Sequence, residues 1–305
     1  MTRRAETFSQ RRELTQNWGE ALRNHPASVL ADRAAWDELF TDGDRFRGGP
    51  TVSVCIVRQA TANPTVQAGL RSWPLDAAIR HLVLLDVTMI PSEADVDRWV
   101  TEAFGPTRRD TPAPTAIRTG ALFPEAAEPF LTRGFAEVDR LALFERPLMG
   151  PGQPRKHPAP DGTSIARFRT RDLDGAAALD QAAFPDGWQQ SARSLADIAT
   201  ATPQVRQRLA LRGSVGRRHI VGFAITGKAG TTGYLQRLAV DPAAQRIGIA
   251  RALVDDATDW LMRRGAHRVL VNTGVDNDGA IKLYEQASFT RRNEELVVLE
   301  RRRAT

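Results

Sequence analysis

Apolar and polar positions recur along this chain with two periods, and those periods mark out most of its elements. Leu14, Trp18, Ala21 and Leu22 recur at helical spacing, as do Leu30, Ala34, Leu39 and Phe40, so residues 1–45 read as helical. Residues 51–57 and 81–90 are strand-like runs, and Ser92 can cap a helix over residues 93–104. A short strand over 116–122, a helix over 124–133 and an apolar strand or hairpin over 135–146 complete the first half. Residues 149–160, MGPGQPRKHPAP, break the pattern with proline and glycine, which predicts a linker between domains 1–148 and 161–305. The second half predicts a strand at 164–168, helices at 172–184 and 192–199, and strands at 206–212, 219–226 and 234–240. A helix at 249–264, a strand at 267–273, a helix at 278–287 and two closing strands, 288–292 and 295–300, follow. Strands and helices interleaved in this way predict an α/β fold with a mixed sheet.

A faint internal repeat crosses the linker. Ala126 matches Ala280, Phe130 matches Tyr284 and Phe135 matches Phe289, all at one offset (289 − 135 = 154). The chain therefore reads as two related units in tandem. In the first, the presumed central strand is followed by Pro91-Ser92-Glu93-Ala94-Asp95, an acidic loop without glycine.

Composition narrows the function. A length of 305 residues suits two domains, and the sole cysteine, Cys55, excludes disulfide frameworks and cysteine-based zinc sites within one chain. No apolar run reaches the roughly 18 residues of a membrane helix, and the first residues lack the apolar core of a signal peptide. A cytoplasmic address is the expectation. Lysine occurs only at Lys156, Lys228 and Lys282, so arginine carries nearly all of the positive charge behind a net +6. That balance suits an anionic ligand, whereas the scatter of the arginines, without interleaved aromatics, argues against a nucleic-acid partner. The five histidines show no metal-binding spacing, and no serine lies in a nucleophile elbow.

The stretch with most chemistry is residues 234–250, YLQRLAVDPAAQRIGIA. A strand, an Asp241-Pro242 break, a loop of small residues and a helix start stand in succession. The first amides of a helix lack internal partners and carry partial positive charge, so such a turn can hold a phosphate. Gly248 and Ala250 allow close approach, and Gln245 and Arg246 add donors. The spacing is neither that of a Walker loop nor that of the dinucleotide fingerprint.

Gln245-x-x-Gly248-x-Ala250 resembles the acyl-CoA pyrophosphate loop of the GNAT N-acetyltransferase superfamily. Asn277-x-x-Ala280-x-x-Leu283-Tyr284-Glu285, then Phe289, resembles a later part of the same fold, in the same order. The resemblance covers residues 161–301, and the tandem layout is similar to that of mycothiol synthases. It implies two GNAT-like units, the first degenerate and without a CoA loop, and acetyl-CoA as cofactor. It implies contacts to CoA from Leu238, Ala239, Val240, Gln245, Arg246, Ile247, Gly248, Ile249, Ala250, Arg251 and Asn277, and Tyr284 as the general acid that protonates the leaving thiolate. The glutamate base of related ribosomal-protein N-terminal acetyltransferases corresponds here to Asn272, which can hydrogen-bond the acceptor but cannot take its proton. Another carboxylate (Glu285, Asp180 or Asp186), an ordered water and an acceptor that arrives already neutral remain as alternatives. Asn277 reads equally as a turn or cap residue. The implied acceptor is an amine of a small molecule or of a peptide or protein, with no membrane partner and a homodimer possible. The alternative from another class is a non-catalytic CoA-binding or interaction module that retains the fold.

Overall fold

The computed structural model of the chain describes residues 68–73, 76–84, 90–105, 113–148, 158–213 and 218–303. The helices expected over 1–45, the strand expected over 51–57, Cys55 and most of the 149–160 linker lie outside these residues. The chain forms two compact units, one drawn from Met1–Leu141 with Glu294–Thr305, the other from Ala142–Asn293.

In the first unit, β1 (Ala68–Trp73) and β2 (Asp76–Leu84) form an antiparallel pair, and β2 lies parallel to β3 (Ala116–Thr119). The crossover between β2 and β3 contains α1 (Glu93–Ala103). Ser92 caps this helix as the sequence predicts: its hydroxyl accepts the Asp95 amide, and the Asp95 carboxylate accepts the Ser92 amide. After α2 (Pro124–Thr132) comes β4 (Ala136–Pro147), and the sheet order in this unit is β1-β2-β3-β10-β4, where β10 is the final strand, Thr290–Arg302. Trp99, Phe130, Phe135, Ile117 and Leu299 fill its core.

The second unit contains β5 (Thr163–Arg167), α3 (Leu173–Ala183), α4 (Ala192–Thr200), β6 (Gln204–Arg212), β7 (His219–Ala229), β8 (Thr232–Val240), α5 (Ile249–Arg263), β9 (Arg268–Gly274) and α6 (Asp278–Gln286). Its strand order is β4-β9-β8-β7-β6-β5, antiparallel from β5 to β8 and parallel between β8 and β9. One face packs on α5 and α6 through Leu235, Leu253, Trp260, Val271 and Tyr284. The other packs on α3 and α4 through Phe168, Leu179, Leu195, Phe223 and Ala239.

The two closing strands expected over 288–292 and 295–300 are one continuous strand instead, β10. Nothing between the two expected strands can turn the chain: Asn293-Glu294 has neither glycine nor proline beside it. The division between units also differs from a cut at 149–160. It runs through β4 and β10, which are 12 and 13 residues long; burial in β4 begins at Leu141, with Ala142 and Phe144 in the core of the second unit, and in β10 at Leu296, with Val297 and Leu299 in the core of the first.

The repeat is visible in three dimensions. Helices α2 and α6 both span 9 residues and start at Pro124 and Asp278, one offset of 154 apart (278 − 124). Each is followed by a left-handed residue, Gly134 at φ 79° and Ser288 at φ 63°. Each then closes with the same hydrogen bond, Phe135 amide to Phe130 carbonyl at 3.1 Å and Phe289 amide to Tyr284 carbonyl at 2.9 Å.

Candidate functional site

Strand β8 and the turn after it set the site. β8 pairs with β9 only over Thr232, Gly233 and Tyr234, against Arg268, Val269 and Leu270. Beyond that point β8 continues to Val240 and β9 to Gly274 without pairing with each other, although β8 stays paired with β7 to its end. The edges of two adjacent parallel strands are therefore open to a ligand over residues 235–240 and 271–274. A bulge lies in the same stretch: Ile225 faces Arg237 and Thr226 faces Leu235, so Gln236 is the extra residue. Both polar atoms of its side chain are buried without a hydrogen-bond partner among the described residues.

After β8, Asp241 receives the Ala243 amide, and the chain turns through Arg246 at φ 62° and Gly248 at φ 98°. Alternating left-handed residues aim successive amides the same way. Gly248 stands at the N-cap of α5 without a side-chain cap, and among the described residues nothing accepts the amides of Ile247, Gly248, Ile249 and Ala250. The contrast with α1 is internal to the chain, because there Ser92 and Asp95 close the equivalent helix start.

The structure separates the predicted residues into groups. Leu238, Ala239 and Val240 lie on the open stretch of β8, and Arg246 to Ala250 form the turn and helix start. The side chains of Gln245 and Arg251 are engaged elsewhere. Gln245 donates to the Val240 carbonyl at 3.2 Å, while Arg251 binds Asp255 at 3.0 Å and the Gln286 carbonyl at 2.7 Å. Asn277 caps α6, its side chain accepting the Ala280 amide at 3.1 Å. Asn272 is half-buried on the unpaired part of β9. The Tyr284 ring is buried between Phe144 and Phe289, with ring centroids 5.8 and 5.6 Å away. Burial pushes its phenol above the ordinary range, and the charge of Arg237 opposes that shift.

Arg237 is the residue that sequence reasoning missed, and its partner is Asp180, one of the alternatives for the base. Arg237 Nε and Nη2 each lie 2.7 Å from an Asp180 oxygen, and Nη2 also donates to the Trp188 carbonyl at 2.8 Å. The Gln190 amide donates to Asp180 at 2.7 Å, and the guanidinium carbon lies 3.5 Å from the centre of the Phe184 ring. Asp180 is fully buried. This cluster fastens the α3–α4 connection to the bulge of β8. With both oxygens held by Arg237, Asp180 is a poor candidate for a base. Of the other carboxylates considered, Asp186 is exposed and accepts from Gln189, and Glu285 is exposed on α6. Among the described residues, no group of three or more His, Cys, Asp or Glu can hold a metal, and no helix is long and apolar enough to cross a membrane.

A mixed sheet whose adjacent parallel strands part beside an uncapped helix defines a class of α/β protein, and comparison with known proteins gives the family. Residues 174–289 match the Acetyltransferase (GNAT) family. Over 126 residues the chain is 30% identical to the ribosomal protein bS18-alanine N-acetyltransferase of Escherichia coli, covering 41% of this chain and 80% of that protein. It is 32% identical over 177 residues to the mycothiol acetyltransferase of Thermomonospora curvata, covering 56% of this chain and only 58% of that relative. Its fold is similar to that of a tandem GNAT protein from the clavulanic acid biosynthesis pathway, with a TM-score of 0.58 at 12% identity over 82% of each chain. The chain belongs to the GNAT acetyltransferase family and has its tandem layout.

Proposed function

We propose that the second unit is an acetyl-CoA-dependent N-acetyltransferase acting on an amine of a small molecule or peptide. The observation that carries this reading is the end of β8–β9 pairing at Tyr234 and Leu270, directly before a helix start with open amides. The residues present fit the cofactor. The amides from Ile247 to Ala250 would hold its diphosphate, and the free edge of β8 at Leu238 to Val240 would hold the pantetheine arm as an added strand does. Arg251 and Gln245 would contribute backbone before side chain, because their side chains are committed within the protein.

Acetyl-CoA, when bound, supplies an activated acetyl thioester. Transfer forms a C–N bond to the amine and breaks the C–S bond, with one amine proton ending on the released thiol. Tyr284 would donate its phenolic proton to the departing sulfur and recover one from the amine through solvent. Arg237 favours that donation, since its positive charge stabilises a phenolate beside it. Asn272 would hydrogen-bond the acceptor. Among the described residues, none of the three carboxylates considered is presented as base, which suits an amine that arrives neutral or loses its proton to water.

The test is calorimetric. Wild-type protein is expected to bind CoA, and Gly248→Glu, which strains the turn at φ 98° and sets a carboxylate where the diphosphate would lie, is expected to abolish binding while the circular dichroism spectrum is kept. Unchanged CoA affinity in that variant refutes the placement. Loss of acetyl transfer in Tyr284→Phe with CoA affinity kept would support the acid role, and full activity would remove it.

A further inference from the structure

Arg237 is gripped on one edge and open on the other. A guanidinium has five N–H donors. Three are engaged here: Nε–H with Asp180, and the two on Nη2 with Asp180 and the Trp188 carbonyl. The remaining two are both on Nη1. Among the described residues Nη1 has no acceptor, and it is not one of the polar atoms sealed from solvent. The side chain is nonetheless 10% exposed, and Phe184 stacking fixes its plane. A rigid pair of donors thus points from the bulge of β8, on the stretch where β8 and β9 are unpaired, within electrostatic reach of Tyr284.

The chemistry of what Nη1 can receive is narrow. Its two hydrogens call for a group that accepts only. Asp180 already balances the guanidinium charge, so a second carboxylate would bring an uncompensated negative charge into a largely buried setting. A hydroxyl would bring a proton of its own and so need a further acceptor, for which Asp180 has at most one lone pair left, on Oδ2. An uncharged carbonyl oxygen meets every condition.

Resting on the acetyltransferase reading, we propose that Nη1 of Arg237 receives the carbonyl oxygen next to the reacting amine, so that the preferred acceptor is an α-amino amide and Arg237 is its specificity-determining residue. The donor pair anchors the carbonyl, and the amine one carbon away is left to face the gap between β8 and β9. Asp180, Trp188 and Phe184 act through Arg237 by fixing its plane.

Three matched acceptors test this with the full chain and acetyl-CoA, CoA release being followed by a thiol reagent. L-Alaninamide carries the neutral carbonyl, L-alanine a carboxylate, and isopropylamine no oxygen. The expected kcat/KM for alaninamide, expressed per unprotonated amine from the measured amine pKa of each acceptor, exceeds both others by roughly tenfold to a hundredfold, the worth of a hydrogen bond from a charged donor. Arg237→Lys, which can still pair with Asp180 but lacks the forked nitrogen, is expected to lose that preference through a raised acceptor KM, with the KM for acetyl-CoA unchanged. Equal turnover of isopropylamine, preference for alanine, an unchanged preference in the lysine variant, or no turnover of any of the three overturns the proposal. If the lysine variant does not fold, the wild-type ranking decides alone. CoA binding measured in parallel separates the two readings: retained binding with the wrong ranking removes only the acceptor assignment, and absent binding removes the acetyltransferase reading itself.

Discussion

Ser288 shows how much one residue's backbone can reveal. It holds φ at 63°, where an L side chain crowds the following carbonyl, and its counterpart one repeat earlier is Gly134 at φ 79°. The second unit keeps the helix stop without the residue best suited to it. Ser288→Gly is expected to stabilise the protein by about 1 kcal/mol, less the entropy glycine adds to the unfolded chain. A higher denaturation midpoint at constant m-value would show it, and a lower midpoint would mean that the serine side chain makes a contact worth more than the strain. At this scale the sequence was partly legible. Gly248, Asn277 and Tyr284 announce themselves through spacing, because a loop and a helix face are local patterns. Arg237 and Asp180 lie 57 positions apart, and an arginine in a strand reads as a solvent-facing residue. Only the bulge at Gln236, which no alternation pattern marks, turns it inward.

Elements carry the next level of the argument. β8 can lie close to α5 because Gly233 has no side chain: a Cβ there would stand 2.5 Å from both Leu261 methyl carbons. Gly233→Ala should therefore push on the C-terminal half of the helix whose N-terminus carries the open amides. The expected loss is about 1–3 kcal/mol of stability, together with weaker CoA binding. A melting curve and a CoA titration on the same sample check both, and a full-strength titration would show that the helix start is set by the turn alone. The elements themselves were largely readable. Ser92 before an acidic first turn, Pro124 at a helix start and the 154-residue offset each rest on local chemistry. β10 was read as two strands because Asn293-Glu294 looks like a polar break between residues 288–292 and 295–300. These two residues stand at the division between the units, and that one strand continues through it is a tertiary fact with no local signature.

For the molecule as a whole, tyrosine offers a direct readout. The chain has two tyrosines, Tyr234 and Tyr284, both buried and both with phenols raised above the ordinary value mainly by burial. In the unfolded chain a phenol ionises near pH ~10. Below that pH neither state is charged and these groups leave stability unaffected by pH. Above it the unfolded state loses protons that the native state keeps, so stability falls as pH rises toward the folded value. Absorbance at 295 nm should stay flat through the usual tyrosine range and then rise for both residues together as the far-ultraviolet signal is lost. A separate early step would mean that one ring is reachable in the native state.

Strands β4 and β10 each belong to both units, and this affects how the protein is made. A ribosome delivers β3 long before the strand that must lie against it, since Arg118 pairs with Glu300. Throughout synthesis of the second unit the first has a bare sheet edge, which a neighbouring nascent chain or a chaperone can reach. Its maturation waits on β10, so a truncation that removes this strand harms the half already made as well as the half that is cut short.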